Sequence, residues 1–126
     1  MARRSALAAV AVTLSLIAVP VVRGHAGSVD GASLYDQECA DCHSLQRRNK
    51  KGPSLAGIAG RKAGSVPDFG NYSDALVASG IVWSKQSLEA YIADPRRVVP
   101  GGRMRYDGLS DPVARAAIAD FLLDRR

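Results

Sequence analysis

The chain has 126 residues and a formal charge of +5, with 47% hydrophobic and 23% charged residues. This length suits one folded domain and is too short for two well-formed hydrophobic cores. The sequence contains only two cysteines. This number argues against the class of small exported domains that several disulfides hold together, which usually carry more cysteines.

The first 26 residues have the pattern of a secretory signal. Two arginines near the start precede an uncharged, mostly apolar run over residues 5–22, and residues 24–26 (Gly-His-Ala) form a small-x-small processing motif. We therefore expect cleavage after Ala26 and a mature domain of residues 27–126. A retained membrane anchor is the alternative, because the apolar run is nearly long enough to span a bilayer.

Removal of this segment would lower the formal charge to +2, because three arginines leave with it and no acidic residue does. Binding to nucleic acid usually needs a stronger and more continuous basic face with aromatic residues interleaved. The modest charge and the expected export therefore argue against that class of function.

The segment Cys39-Ala40-Asp41-Cys42-His43 is the C-x-x-C-H arrangement through which a c-type haem is attached covalently. Cysteines three residues apart lie about one helical turn apart, so both sulfur atoms can react with the vinyl groups on one edge of a porphyrin. The His43 imidazole would then point at the iron. One alternative is a thioredoxin-like redox pair, which needs a preceding strand that is not apparent here, and another is a plain disulfide.

Met104 is the one methionine that would remain after processing. It lies in the segment Pro100-Gly101-Gly102-Arg103-Met104, where a proline and two glycines predict a loop. A single methionine commonly fills space in a core, but the arginines on both sides of Met104 make that placement unfavourable. We therefore predict that Met104 is the second axial ligand of the iron.

All convincing periodic segments are helical, which predicts an all-α fold. Ser110 or Asp111 can cap the last helix, with Pro112 in its first turn. The apolar stripe of this helix consists of Val113, Ala117, Ile118, Phe121 and Leu122.

Two further helices are expected before the last one. A middle helix should run from about Ser84 to Asp94, ending before Pro95, and should bury Leu88, Tyr91 and Ile92. A short helix is predicted over residues 73–79, ended by Gly80, and the remaining residues are expected to be loops. Because so many loops bury little apolar area, we predict that haem completes the core and that the apo-protein is largely unfolded.

The motifs of the chain resemble those of the class I cytochromes c, most closely the mitochondrial-like and bacterial c2-type members. The likeness covers nearly all of residues 27–126, and the motifs occur in the family's order around C-x-x-C-H. They are Gly31-x-x-x-Tyr35-x-x-x-Cys39, Gly52-Pro53-x-Leu55-x-Gly57, Gly60-Arg61-Lys62, Tyr72-Ser73-Asp74-Ala75, Gly80-Ile81-Val82-Trp83, Leu88-x-x-Tyr91-x-x-x-Pro95 and Pro100-Gly101-x-x-Met104-x-Tyr106-x-Gly108-Leu109. The resemblance implies a small helical domain wrapped around one covalently attached haem c, with Gly31-x-x-x-Tyr35-x-x-x-Cys39 as the first helix, leading into the attachment site.

The resemblance also implies roles for individual residues around the haem. The Pro53 carbonyl would accept a hydrogen bond from the His43 imidazole. Trp83 would donate its N–H to a haem propionate, with Tyr72 and Arg61 near the same group. Tyr91 would place its hydroxyl near the Met104 sulfur. Simple packing is the alternative for Trp83 and Tyr91.

The chain departs from the family pattern at two positions. Leu76 stands where members commonly have an asparagine that orders a buried water, so that polar network is expected to be absent or rearranged. Gly102 stands where a threonine often hydrogen-bonds a propionate, which predicts a more flexible loop. We therefore expect Met104 to detach more readily than it does in relatives.

A histidine and a methionine on the iron predict a high-potential one-electron carrier rather than an enzyme, because no position remains open for a substrate. We expect a periplasmic monomer that shuttles electrons from a bc1-type complex or periplasmic dehydrogenase to an oxidase or photosynthetic reaction centre. The alternatives are a haem sensor or peroxidase-like protein with a displaceable Met104, and a membrane-tethered redox subunit facing the periplasm.

Two clusters of basic residues lie near the predicted ligands, one after His43 and one around Met104. The clusters are Arg47, Arg48, Lys50 and Lys51, and Arg96, Arg97, Arg103 and Arg105. Ordinary solvated surface is the alternative for either cluster alone. Together they predict a positive ring around an exposed haem edge, which would steer docking to acidic redox partners.

Overall fold

The computed structural model describes residues 28–125, and the predicted signal segment lies outside them. This part of the chain forms the helices α1 (Gly31–Glu38), α2 (Asp74–Ala78), α3 (Lys85–Ala93), α4 (Pro95–Val98) and α5 (Pro112–Leu123). Besides helices, residues 28–125 contain one isolated β-bridge, between Lys62 and Val82, and no strand. The predicted all-α fold is therefore confirmed. Within the same range, no helix is long and apolar enough to cross a membrane.

Polar side chains cap the helices where the sequence predicts that helices begin. Asp111 accepts a hydrogen bond from the Val113 N–H at 2.9 Å, and Pro112 occupies the first turn of α5. Ser84 accepts a hydrogen bond from the Ser87 N–H at 3.2 Å at the start of α3. Each cap satisfies a backbone donor that the first turn of a helix leaves without a partner. The predicted positions of α3 and α5 are confirmed, and α2 lies within the predicted range 73–79.

Residues 95–98, predicted to be a loop, form the short helix α4 instead. Asp94 ends α3 and also caps α4, because its carboxylate accepts a hydrogen bond from the Arg97 N–H at 3.0 Å. Pro95 suits the first position of a helix, since its ring fixes a helical φ and no N–H is needed there. The proline that stops one helix therefore begins the next, and apolar periodicity cannot detect a helix of four residues.

Helix α5 packs against both α1 and α3, and this arrangement widens its buried face. Ile118 and Leu122 are buried as predicted, but Val113 is 59% exposed and the prediction for it is wrong. Ala114 and Ala119 are buried instead. Because α5 contacts two helices, small residues beside the main stripe also become buried, and a stripe chosen from the larger apolar residues misses them.

Helices α1 and α5 cross where Gly31 leaves room for close approach. A Cβ atom at Gly31 would lie 2.3 Å from the Ala117 carbonyl oxygen. One turn later, the Tyr35 and Phe121 rings pack with their centres 5.7 Å apart. The Tyr35 hydroxyl then donates a hydrogen bond to the His43 carbonyl at 3.0 Å. The helix crossing thus fixes the backbone at the end of the C-x-x-C-H motif.

Replacing Gly31 with alanine should force the α1–α5 crossing apart, because the new methyl group meets backbone atoms that cannot rotate away. We expect the free energy of unfolding to fall by about 1–3 kcal/mol, as in other overpacked sites. Denaturant unfolding followed by circular dichroism measures the change. Gly70→Ala is the matched control, since a Cβ there meets nothing within 4 Å. Equal unfolding midpoints for the two variants would contradict the close contact.

Candidate functional site

The C-x-x-C-H motif and the Met104 loop line one cavity of about 410 Å³. The cavity lies beside α3, whose buried residues Leu88, Tyr91 and Ile92 form part of its wall. Most of the other lining side chains come from the loops between α1 and α3. Its volume is within the range of roughly 300–1,000 Å³ that is common for cofactor sites.

Cys39 and Cys42 lie directly after α1, and the backbone turns so that both side chains border the cavity. The N–H groups of Cys42 and His43 donate to the Cys39 carbonyl at 3.1 and 2.9 Å. Burial raises the pKa of the Cys39 thiol to about 11. A thioredoxin-like redox cysteine needs a lowered pKa and a preceding strand, so this site does not fit the redox-pair alternative.

The orientation of the His43 imidazole is set by its contact with Pro53. Its Nδ1 atom lies 2.8 Å from the Pro53 carbonyl oxygen, which can accept a hydrogen bond only if Nδ1 carries the proton. Nε2 is then unprotonated and is free to bind a metal. Burial lowers the pKa of His43, which favours the neutral, metal-binding form.

Gly52 allows the His43 ring to lie flat against the backbone. A Cβ atom at Gly52 would lie 2.5 Å from His43 Cε1 and 2.8 Å from His43 Nδ1. The Gly52 N–H also donates to the Cys42 carbonyl at 2.8 Å, which ties this loop to the cysteine motif. The glycine before Pro53 is therefore required by close approach.

The Met104 loop is held on two sides. Before the methionine, the Arg103 guanidinium donates to Asn71 Oδ1 at 3.0 Å and to the Tyr72 carbonyl at 3.2 Å. After it, the Tyr106 hydroxyl donates to Glu38 Oε2 at 2.7 Å. Met104 itself lines the cavity and is partly buried against the core.

Gly102 is held in a turn, in contrast to the flexible backbone expected from the sequence. Its N–H donates to the Val99 carbonyl at 2.9 Å. A Cβ atom at this position would lie 3.0 Å from the same oxygen, so a larger residue would crowd the turn. The positive φ in this loop belongs to Gly101 instead, at 86°.

Trp83, Tyr91, Arg61 and Tyr72 all line the cavity. Trp83 and Tyr91 are buried with their ring centres 5.2 Å apart, and burial raises the pKa of Tyr91. No hydrogen bond joins the Tyr91 hydroxyl to the Met104 sulfur among the described contacts.

Arg61 is fixed by two backbone carbonyls of the loop that follows Pro53. Its guanidinium donates to the Ala56 carbonyl at 2.7 Å and to the Ser54 carbonyl at 2.8 Å. The Tyr72 hydroxyl accepts a hydrogen bond from the Val66 N–H at 3.2 Å. Leu76, the apolar residue at the first departure from the family pattern, also borders the cavity.

Glu38 and Tyr106 are the site residues that the sequence analysis does not identify. Both line the cavity, and their hydrogen bond joins positions 68 residues apart. Burial and the contact with Glu38 raise the pKa of Tyr106, so its hydroxyl remains a donor. A signal exists in the sequence, since a carboxylate in the last turn of a helix is unfavourable without a partner.

The two basic clusters contribute unequally to the cavity rim. Three of the eight residues border the cavity and are exposed, namely Lys51, Arg103 and Arg105. The other three members of the first cluster, Arg47, Arg48 and Lys50, do not line it. Arg97 lies instead in a shallow groove beside α3 and α5, and Arg96 pairs with Asp107 at 3.4 Å. The two arginines of α4 therefore do not line the cavity with the others, because this short helix, which was not predicted, carries them elsewhere.

The residues around the cavity fit a covalently attached haem. Two thiols, a neutral imidazole and a thioether border the same space, and the rest of the lining is mostly apolar. Thiols of this spacing form thioether bonds, and an imidazole with a methionine sulfur is a common ligand pair for haem iron.

Comparisons with known proteins agree on one family. The cytochrome c family model matches residues 28–125. Cytochrome c2 of Rhodopila globiformis is 45% identical over 95 residues, which cover 75% of this chain and 89% of that protein. Cytochrome c of Stellaria longipes is 42% identical over 96 residues, covering 75% and 88% of the two chains. The solved structure of cytochrome cH from Methylobacterium extorquens has a TM-score of 0.69 and 37% identity, covering 75% of this chain and 95% of that one.

Replacing Gly52 with alanine should displace the His43 ring and weaken its hydrogen bond to Pro53. We expect a loss of about 1–3 kcal/mol in the free energy of unfolding. A lower yield of protein with covalently bound haem should accompany it. Denaturant unfolding and the ratio of haem absorbance to protein measure the two effects, with Gly70→Ala again as the control. A Gly52→Ala protein with unchanged stability and unchanged haem content would show that the ring does not depend on this contact.

Proposed function

The chain belongs to the cytochrome c family, and we propose that it is an exported single-electron carrier whose iron is held by His43 and Met104. It is an electron carrier with one covalently bound haem c, as its C-x-x-C-H motif and its relatives indicate. The observation that carries the proposal is the meeting of two thiols, one imidazole and one thioether at a single apolar cavity.

Cys39 and Cys42 would hold the haem through thioether bonds, and His43 would bind its iron through Nε2. The contact with Pro53 supports this assignment, because it fixes the tautomer that leaves Nε2 without a proton. When bound, the haem supplies one-electron chemistry by cycling between ferrous and ferric iron. The protein residues need to change little between these states, since both ligands are neutral.

Met104 would hold the same iron through its sulfur, since it lines the cavity with His43. A thioether ligand raises the reduction potential, and the apolar wall that includes Leu88, Tyr91 and Ile92 adds to this effect by excluding water. An iron held by both His43 and Met104 would leave no site for a substrate. We therefore propose a high-potential carrier that is not an enzyme.

We assign residues 1–26 to a secretory signal that is cleaved after Ala26, and residues 27–126 to the mature cytochrome domain. The charge and hydropathy pattern of the segment supports this division. The mature protein would be a periplasmic monomer of the respiratory or photosynthetic electron-transport chain. It would pass electrons from a bc1-type complex or dehydrogenase to an oxidase or reaction centre.

Optical spectra of the wild type and of Met104 variants test the ligand assignment. We expect the ferric wild type to have the weak far-red absorption band of methionine–iron bonding. The ferrous wild type should not bind carbon monoxide. Met104→Ala should lose the band and bind carbon monoxide. Met104→His should lose the band but still not bind carbon monoxide. Its reduction potential should be lower, because imidazole stabilises ferric iron more than a thioether does. Rapid binding of carbon monoxide by the wild type would contradict the carrier and favour a haem sensor or peroxidase-like protein.

The basic rim should accelerate electron transfer to an acidic redox protein at low salt. We expect the second-order rate constant to fall steeply as ionic strength rises, because the Debye length shortens to about 8 Å at physiological salt. The double variant K51Q/R105Q should be slower at low salt and less sensitive to salt. Arg97→Gln is the matched control, since Arg97 lies away from the cavity and pairs with Asp94 at 3.9 Å. A rate constant that does not change with salt would contradict the docking surface.

A further inference from the structure

One side-chain hydrogen bond links the two chain segments that border the cavity on either side of its rim. The Tyr106 hydroxyl donates to Glu38 Oε2 at 2.7 Å. Glu38 directly precedes Cys39, and Tyr106 follows Met104 by two residues. The bond therefore joins the segment that would hold the haem covalently to the loop that would supply the methionine ligand.

The position of Glu38 is unfavourable unless the carboxylate has a partner. It is the last residue of α1, where the helix dipole disfavours negative charge. Glu38 takes part in none of the ion pairs within residues 28–125. Its charge-assisted hydrogen bond with Tyr106 compensates for this position, because such bonds are stronger than those between neutral groups.

Tyr106 supplies the side-chain attachment of the Met104 loop that follows the methionine. Gly102 has no side chain, so the loop before the methionine depends on Arg103 and on its own turn. The Tyr106 ring packs partly against the core, which restricts its position and lowers the entropy cost of the bond. Arg103 and Tyr106 thus fasten the loop on opposite sides of Met104 in the sequence.

We propose that the Tyr106–Glu38 hydrogen bond is a clasp that positions Met104 and limits how often its sulfur leaves the iron. This inference rests on the proposed function, in which Met104 is an axial ligand. Tyr106 and Glu38 are positioning residues and bind no metal themselves. The clasp acts together with the Gly102 turn and Arg103 to oppose detachment of Met104.

Binding of imidazole to the ferric holoprotein measures this detachment. The iron–sulfur bond breaks and an iron–nitrogen bond forms, with no change in oxidation state. At saturating imidazole the observed rate approaches the rate at which the loop opens. We expect Tyr106→Phe and Glu38→Ala each to raise this limiting rate about three- to tenfold, as fits the loss of one solvent-exposed hydrogen bond of ordinary net strength.

Further variants separate the hydrogen bond from charge and from general loop damage. The double variant Y106F/E38A should be no faster than the faster single variant, because both changes break the same bond. Glu38→Gln keeps an acceptor oxygen and should therefore bind imidazole at a lower limiting rate than Glu38→Ala. Asp36→Asn removes a nearby charge from α1, and Asp107→Asn removes an exposed ion pair from the loop. Both should match the wild type.

The outcomes distinguish failure of the clasp from failure of the proposed function. If the wild type has the far-red band and Tyr106→Phe binds imidazole at the wild-type rate, the clasp is overturned but the ligand assignment is not. Multiplying effects in the double variant, or equal rates for Glu38→Gln and Glu38→Ala, also overturn it. A wild type without the far-red band overturns the assignment of Met104 and the clasp together.

Discussion

The hydrogen bond between the His43 imidazole and the Pro53 carbonyl is the interaction on which the chemistry of the site depends. It fixes the proton on Nδ1 and so leaves Nε2 available for iron. It requires Gly52, because any side chain there would occupy the space of the ring. It also requires a fixed backbone at His43, which the Tyr35 hydroxyl and the α1–α5 crossing supply. One imidazole orientation thus depends on contacts that extend to the last helix.

Met104, the proposed second ligand, is positioned in a different way. Met104 lies in a loop, and its position depends on side chains that reach across the cavity rim. A rigid histidine and a methionine on a fastened loop together suit an iron that must keep both ligands through many redox cycles. The exposed arginines near Met104 then lie at the surface that an acidic partner would meet.

Local signals in the sequence predict most of the fold. Asp111 and Pro112 mark the start of α5 correctly, and Pro95 marks the end of α3, because capping and φ restriction act over a few residues. The C-x-x-C-H motif likewise identifies the cofactor from a short segment. Helix α4 is not predicted, because it begins at the residue that ends α3. The exposure of Val113 is not predicted, because it depends on which helices pack against α5. The Glu38–Tyr106 contact joins segments that are distant in the sequence, so local signals cannot predict which partner Glu38 has.

The central claim is that Met104 binds the iron opposite His43, and proton NMR of the ferrous holoprotein tests it most directly. A methionine bound to low-spin ferrous haem lies over the porphyrin ring, whose ring current shifts its methyl resonance far upfield. We predict one three-proton resonance upfield of all ordinary protein signals, and its loss in the Met104→Ala variant. A ferrous wild-type spectrum without that resonance would contradict the account.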